Sequence, residues 1–315
     1  MSRARTVFFG SGAFGVEPLL RLAGLDEVEL VGVVTAPPRP AGRKREPRPT
    51  AVDSAARQLG VQNVLRPERL RDPEAVSSVL GVDPTLAVLA DYGLIVPPPI
   101  LGLRHGALNL HPSLLPRHRG ASPIAAAILA GDRETGVTLF RMDAGLDSGP
   151  IVATARLALD GTEVAPELEA ALAEVAADLV AEALPAWLRG ELSPTNQDDT
   201  QATMTRPLRR ADGRLDPEKA AIDLERQVRA YQPWPGSFLD TPAGRLVVWR
   251  ADVVRGDPNG AAVPPGRLVG HERGLALTTA TDRLVLLEVQ PAGGRRMTGQ
   301  EFVRGRPSIV GSGPT

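Results

Sequence analysis

The sequence predicts a doubly wound, Rossmann-like α/β domain followed by a smaller all-β unit, and three observations carry that reading. Short apolar runs alternate with helical patterns over residues 1–190. A polar stretch without periodicity, GELSPTNQDDTQATMTRP, follows, with a linker set at 191–207. Beyond it, over 208–315, β-rich runs are separated by turn residues. At 315 residues the chain is long enough for two domains with those boundaries.

Taken in order, TVFF (6–9) reads as a first strand and an amphipathic stretch near 15–23 as the helix after it. VELVGVVT (28–35) is a second strand that runs into a basic loop, with a helix near 50–59. TLAVLA (85–90) and ALNL (107–110) are further strands. SPIAAAILAG (122–131) reads as a helix and GVTLFRM (136–142) as a strand. Apolar strands spaced by helices indicate a parallel sheet covered on both faces. An Ala/Glu/Leu helix at about 164–189 closes this domain. In the second, AIDLERQVRAY (221–231) has helical spacing, and RLVVWRADVV, GRLVG, LALTTA and RLVLLEVQ are short strands of a barrel-type unit.

Composition narrows the function classes. Cysteine is absent, which removes disulfides, cysteine nucleophiles and thiolate metal sites and fits a cytoplasmic protein. No segment approaches the ~20 apolar residues of a spanning helix, so no membrane role is expected. No metal site is expected either: His105, His111 and His118 are spaced by loop and interrupted by Pro112 and Pro116. His105 and His118 read as ordinary loop residues. The net charge of −1 is uneven, with 20 basic and 25 acidic residues over 1–208 against 16 and 12 over 209–315. The loop PPRPAGRKREPRP (37–49) is itself basic and carries Arg39, Arg43, Lys44, Arg45 and Arg48 against Glu46. Such a run is either a solvated loop or a contact for a polyanion.

Two motifs bear on chemistry. Gly10-Ser-Gly12-Ala-Phe-Gly15 has the spacing of a dinucleotide fingerprint. The second strand, however, ends Val34-Thr35-Ala36-Pro37-Pro38, without the acid that holds a ribose. A tightly packed first turn explains the glycines better. The second motif is ALNLHPSLLPRHRGASPI (107–124). Its strand runs into a loop at the carboxyl end, where doubly wound folds place their sites. Asn109 and His111 are two apart and therefore share a face. Downstream, MDAGLDSGPI (142–151) is a Gly-rich turn carrying Asp143 and Asp147. Singly, each of these reads as a turn or a backbone cap.

Together, NLHPSLLPRHRGASPI and GVTLFRMDAGLDSGPI resemble the 10-formyltetrahydrofolate-dependent formyltransferase family over roughly residues 1–190. VTAPPRPAGRK resembles the loop by which the tRNA-acting branch enters an acceptor stem, and LADYGLIVP its pterin-pocket segment. RAYQPWPGSF (229–238) resembles the start of that branch's OB-like C-terminal domain. The resemblance implies a monomeric enzyme that takes 10-formyltetrahydrofolate as cosubstrate and initiator methionyl-tRNA as acceptor. It implies catalysis by Asn109, His111 and Asp147. The folate would be held by Ser113, Leu114, Leu115 and Pro116, with Tyr92, Gly93 and Leu94 at the pterin. The tRNA would be held by Arg39, Arg43, Lys44 and Arg45. Formyl transfer passes through a tetrahedral intermediate, and the expected oxyanion donors are the Asn109 amide and His111, with Asp147 polarising the imidazole.

Three segments depart from the family pattern: the first turn GSGAFGVEPLL in place of GTPxFA, Asp91 where a small residue is common, and ATMTRPLRRADGRLD before the second unit. An amino-sugar nucleotide N-formyltransferase shares the catalytic loop but has no use for a basic RPAGRKR reach. An NAD(P)-dependent oxidoreductase rests on the glycine spacing alone. A non-enzymatic RNA-binding protein leaves Asn109, His111 and Asp147 without a role.

Overall fold

The computed structural model describes residues 3–41, 46–255 and 263–313. The chain divides into two compact units, one of residues 1–123, 133–159 and 167–206, the other of 124–132, 160–166 and 207–315.

The first unit opens with β1 (Ala4–Gly10), α1 (Val16–Ala23) and β2 (Val28–Val34). A hairpin of β3 (Arg39–Ala41) and β4 (Glu46–Arg48) follows, then α2 (Ala51–Gln58) and β5 (Val64–Leu65). Next come α3 (Pro73–Leu80), β6 (Leu86–Ala90), α4 (Pro98–Leu101), β7 (Ala107–His111) and β8 (Arg119–Gly120). After α5 (Pro123–Ala130), which from residue 124 belongs to the second unit, the chain forms β9 (Glu134–Arg141), β10 (Ile151–Ala158), α6 (Ala165–Leu188) and β11 (Met204–Thr205). The main sheet has the order β10-β9-β7-β6-β1-β2-β5. β1 and β6 read as near-continuous apolar runs because they lie at its centre, with Val7, Phe8, Phe9 and all of Leu86–Ala90 buried.

The five strands from β7 to β5 are parallel, as expected. The sheet is not wholly parallel, because β9 runs antiparallel to β7 and β10 antiparallel to β9. For β10 the physical reason lies in the connection: residues 142–150 join β9 to β10 directly, too short a span for the crossover a parallel pair needs. β10 is the outer strand, with the half-buried and exposed alternation of a sheet edge. Helix α6 buries Leu168, Leu172, Ala176, Leu179 and Ala183, a stripe at helical spacing.

The departures in the first turn and at Asp91 are one feature. Asp91 follows β6 with a left-handed backbone (φ 52°), and its carboxylate accepts the Gly12 N–H. A Cβ on residue 12 would run into that carboxylate, and a Cβ on residue 15 would come within 2.8 Å of the Ala90 carbonyl. The glycine spacing that mimics a dinucleotide fingerprint is therefore explained by close packing within the unit.

Helix α2 is anchored by Asp53, whose side chain has no exposed surface and takes bonds from both Arg57 (2.8 Å) and Arg66 (2.7 and 2.8 Å). These guanidiniums, Arg66 foremost, hold its carboxyl below the ordinary carboxylate value. Asp53→Ala is expected to lower unfolding stability by about 3 kcal/mol, at the low end for a broken buried pair because both arginines keep access to water. Denaturant unfolding measures it. Since the folded value lies below the unfolded one, Asp53 stabilises the fold above about pH 4, and that contribution disappears as pH falls through the folded value.

The second unit contains α7 (Ala221–Ala230), β12 (Ser237–Thr241), β13 (Gly244–Val254), β14 (Leu268–His271), β15 (Gly274–Thr278), β16 (Arg283–Pro291), β17 (Met297–Thr298) and α8 (Gly299–Gly305). Its strands form an antiparallel sheet of order β12-β13-β16-β15-β14, with β17 on β16. Leu224 and Val228 of α7 and Phe302 of α8 join Leu246, Leu275, Leu286 and Val289 in one core. Helix α8 starts at a capping box: the Thr298 hydroxyl accepts the Glu301 N–H, and the Glu301 carboxylate takes the Thr298 N–H at 2.8 Å. Among the described residues no helix is long and apolar enough to cross a membrane.

Candidate active site

β6 and β7 are parallel neighbours, with Ala90 opposite Leu110, so the segments that follow them emerge at one edge of the sheet. That edge brings Tyr92-Gly93-Leu94 and the 111–120 loop together. The 142–150 turn starts at the other end of β7, where Met142 N donates to the Ala107 carbonyl, and Asp147 joins it to the 111–120 loop through the Gly120 N–H.

Asn109 and His111 lie on one face of β7. His111 is buried, 4% exposed. Its Nε2 lies 2.9 Å from the His118 carbonyl oxygen, and since a carbonyl only accepts, Nε2 carries the hydrogen and donates. In the neutral ring Nδ1 is then the bare nitrogen, and it faces Asp147 Oδ2 at 3.7 Å. Two acceptors facing each other do not hydrogen-bond. That pair becomes attractive when Nδ1 takes up a proton. Burial pushes the His111 imidazole below the ordinary histidine value, while the Asp147 carboxylate and the His118 carbonyl oppose the shift and the His118 ring adds to it. Asp147 is held in turn: Oδ2 accepts the Gly120 N–H at 2.7 Å, and its backbone is left-handed (φ 50°). His118 is also left-handed (φ 59°), which aims its carbonyl at His111. Asp91, His118 and Asp147 thus put three of the five described non-glycine residues of positive φ at this edge, where strained backbone tends to mark function.

Asn109 is half-buried, and among the described residues its side-chain amide makes no hydrogen bond, so its donors are open to a ligand. Asp143 is not part of this group. Its carboxylate caps its own turn, accepting from Gly145 N at 2.9 Å and Ser148 Oγ at 3.0 Å.

The loop expected to hold folate is fixed from within. Ser113 is fully buried and its hydroxyl donates to the Arg117 carbonyl at 2.7 Å. Thr138 Oγ1 donates to the Ser113 carbonyl and accepts from Leu115 N. Leu115 is buried, while Leu114 and Pro116 are half-exposed. Tyr92 packs edge-on against Phe9, with ring centroids 5.3 Å apart. Its buried hydroxyl has no hydrogen-bond partner among the described residues, and burial pushes the phenol well up. Gly93 is exposed and Leu94 half-buried.

Arg39 is exposed on the β3–β4 hairpin, and Arg43, Lys44 and Arg45 lie outside the described residues. The hairpin leaves the domain after Thr35 and returns at Thr50, and these two hydroxyls are bonded at 2.6 Å. His118, expected as an ordinary loop residue, supplies the carbonyl that orients His111. Thr138 and the Gly120 N–H were not foreseen. They act through backbone geometry and cross-strand register, for which one sequence holds no signal.

Comparison with known proteins identifies the family. A family model described as formyl transferase matches residues 4–184, and one described as formyl transferase, C-terminal domain, matches 207–307. A methionyl-tRNA formyltransferase of Roseiflexus sp. (strain RS-1) is 44% identical over 302 residues, covering 96% of this chain and 92% of its own. In fold, the chain is similar to a methionyl-tRNA formyltransferase from Clostridium thermocellum, with TM-score 0.54 and 17% identity over 82% of this chain and 96% of that one. It is also similar to HypX from Aquifex aeolicus, solved in complex with tetrahydrofolic acid, with TM-score 0.62 and 16% identity over 96% of this chain and 47% of that one.

Proposed function

The chain belongs to the formyl transferase family, among the methionyl-tRNA formyltransferases, and from that premise we propose how it formylates initiator methionyl-tRNA. The donor is 10-formyltetrahydrofolate, and the reacting groups are organised by Asn109, His111 and Asp147. One observation carries the reading: a buried imidazole whose Nε2–H is committed to the His118 carbonyl and whose free Nδ1 faces a carboxylate 3.7 Å away.

The nucleophile is an α-amino group, which titrates near ~8 and is substantially neutral at cellular pH, so no activated serine or cysteine is required. Its nitrogen attacks the formyl carbon, and the carbonyl electrons move onto oxygen. The open Asn109 amide donates to that oxyanion. Attack leaves the amine nitrogen positively charged. His111 Nδ1 takes its proton, and Asp147 stabilises the imidazolium so formed. The proton passes to the folate nitrogen as the C–N bond breaks, giving formylmethionyl-tRNA and tetrahydrofolate. A neutral resting His111 is what this relay requires, and burial favours it. The relay therefore comes first, and donation to the oxyanion, the job expected of His111 from the sequence, follows once Nδ1 is protonated.

Folate lies against the 113–116 loop, with its pterin at Tyr92, Gly93 and Leu94. The rigidity of that loop, held through Thr138, supports the assignment, with backbone rather than the Ser113 hydroxyl as the contacting group. The tRNA is reached by the basic hairpin through Arg39, Arg43, Lys44 and Arg45. Phosphate contacts make binding salt-dependent, so tRNA affinity is expected to fall steeply between 50 and 200 mM salt. Replacing Arg43 by alanine is expected to reduce the slope of log affinity against log salt by about 1. Filter binding or fluorescence titration measures both, and affinity independent of salt contradicts this contact.

A further inference from the structure

Residues 191–207 are expected as a linker, but 195–205 are bonded to the rim of the site. Thr195 exchanges both backbone hydrogen bonds with Ile151, each 2.8 Å. Strand β11 pairs with β8, and the Thr203 hydroxyl and carbonyl accept from His118 N and Arg119 N. Between these anchors, Gln197 reaches the turn that carries Asp147. Its Nε2 donates to the carbonyl of Asp147 at 2.8 Å and to that of Gly149 at 2.7 Å. Both hydrogens of the amide are thereby used. Its Oε1 accepts from Arg119 Nε and Nη2 at 3.0 and 2.8 Å, and Arg119 is itself 7% exposed and also paired with Asp199. With a guanidinium on one side and two carbonyls on the other, the amide has only one satisfied orientation.

We propose that Gln197, clamped by Arg119, is a positioning residue that holds the Asp147 turn so that its carboxylate faces His111. The inference rests on the role given to Asp147 above. Asp147 is left-handed, a conformation an aspartate keeps only when its surroundings hold it. The Gly120 N–H fixes the carboxylate end, and Gln197 fixes the backbone end on both sides of the turn. Arg119 is adjacent to Gly120, so one short strand supplies the bond to the carboxylate and the clamp on Gln197. A stretch of the first unit that reads as a linker in the sequence thereby becomes part of the catalytic apparatus.

Two variants of the full chain test this. Gln197→Glu keeps an acceptor for Arg119 and removes both donors, while Gln197→Met removes all four bonds. Each is expected to lower kcat about 10- to 100-fold, the scale of small misplacements at a reacting centre, with KM for folate and tRNA little changed. In an Asp147→Asn background the same substitutions are expected to change kcat less than about threefold, because they act through the group already removed. Single variants with wild-type kcat overturn the proposal, as do equal losses in both backgrounds, which mark a general structural role. If Asp147→Asn alone keeps wild-type kcat, the reading of the site falls. The positioning proposal is then decided by amide exchange at Gly120, faster in Gln197→Met if it holds and unchanged if it does not.

Discussion

His111→Ala is expected to slow single-turnover formyl transfer by about 10²–10⁴-fold while leaving folate binding near normal. The size follows from the ring's two jobs. In the proposed mechanism it accepts the proton that the attacking amine must lose, and, once protonated, donates towards the oxyanion. No neighbour can substitute: Asp147 is 3.7 Å away on the far side of Nδ1, and the His118 group at Nε2 is a backbone carbonyl. Binding should survive because His111 is buried and fixed to its own loop. Rapid-quench measurement, with folate binding followed separately by fluorescence, separates the two. Near-normal chemistry in this variant removes His111 from the mechanism.

The second large effect is expected at Asp147. Asp147→Asn keeps the shape of the turn and can still accept the Gly120 N–H, but it removes the charge that favours the imidazolium. Transfer is expected to fall about 10²-fold or more, the usual scale for a positioned proton-transfer group. The sign of the accompanying pH effect is fixed. Asp147 raises the His111 value against the larger depression from burial, so without it the value drops further. In the proposed relay the working form of His111 is neutral, so the acid limb of the rate profile is expected to move to lower pH. An acid limb that stays in place or moves up contradicts the pairing.

Much of this was legible in the sequence, for identifiable reasons. A period of two put Asn109 and His111 on one face, and the strand-to-loop boundary put them at the carboxyl edge of the sheet. The apolar runs of β1, β2, β6 and β7 and the Ala/Leu stripe of α6 are strong periodic signals, and they fold as read. Asp147 had no such signal, since an aspartate in a Gly-rich turn is ordinarily a cap, as Asp143 turned out to be. Only the resemblance singled it out. β10 escaped because IVATARLA is an edge strand whose alternation is weak, and with it went the antiparallel edge of the sheet. The β3–β4 hairpin is rich in proline and arginine and has no apolar alternation to read. Gln197 lies 50 positions from Asp147, and nothing in a polar, aperiodic stretch marks one glutamine above its neighbours. Asp91 and Gly12 each looked anomalous alone and became intelligible only as a contacting pair.

In the proposed mechanism Asn109, His111 and Asp147 supply formyl transfer to an amine without stating which amine. We propose that the acceptor is set by what reaches beyond the site: a segment rich in basic residues whose ends are tied at Thr35 and Thr50 suits a long polyanion better than a sugar nucleotide.

The most direct measurement supplies the purified protein with 10-formyltetrahydrofolate and, in parallel, charged initiator methionyl-tRNA or amino-sugar nucleotides. The labelled formyl group is then followed. It should appear on methionyl-tRNA with wild-type protein, be strongly reduced with His111→Ala, and be absent from the sugar nucleotides. Formylation of an amino-sugar nucleotide with methionyl-tRNA left untouched, or transfer unaffected by loss of His111, would contradict the account.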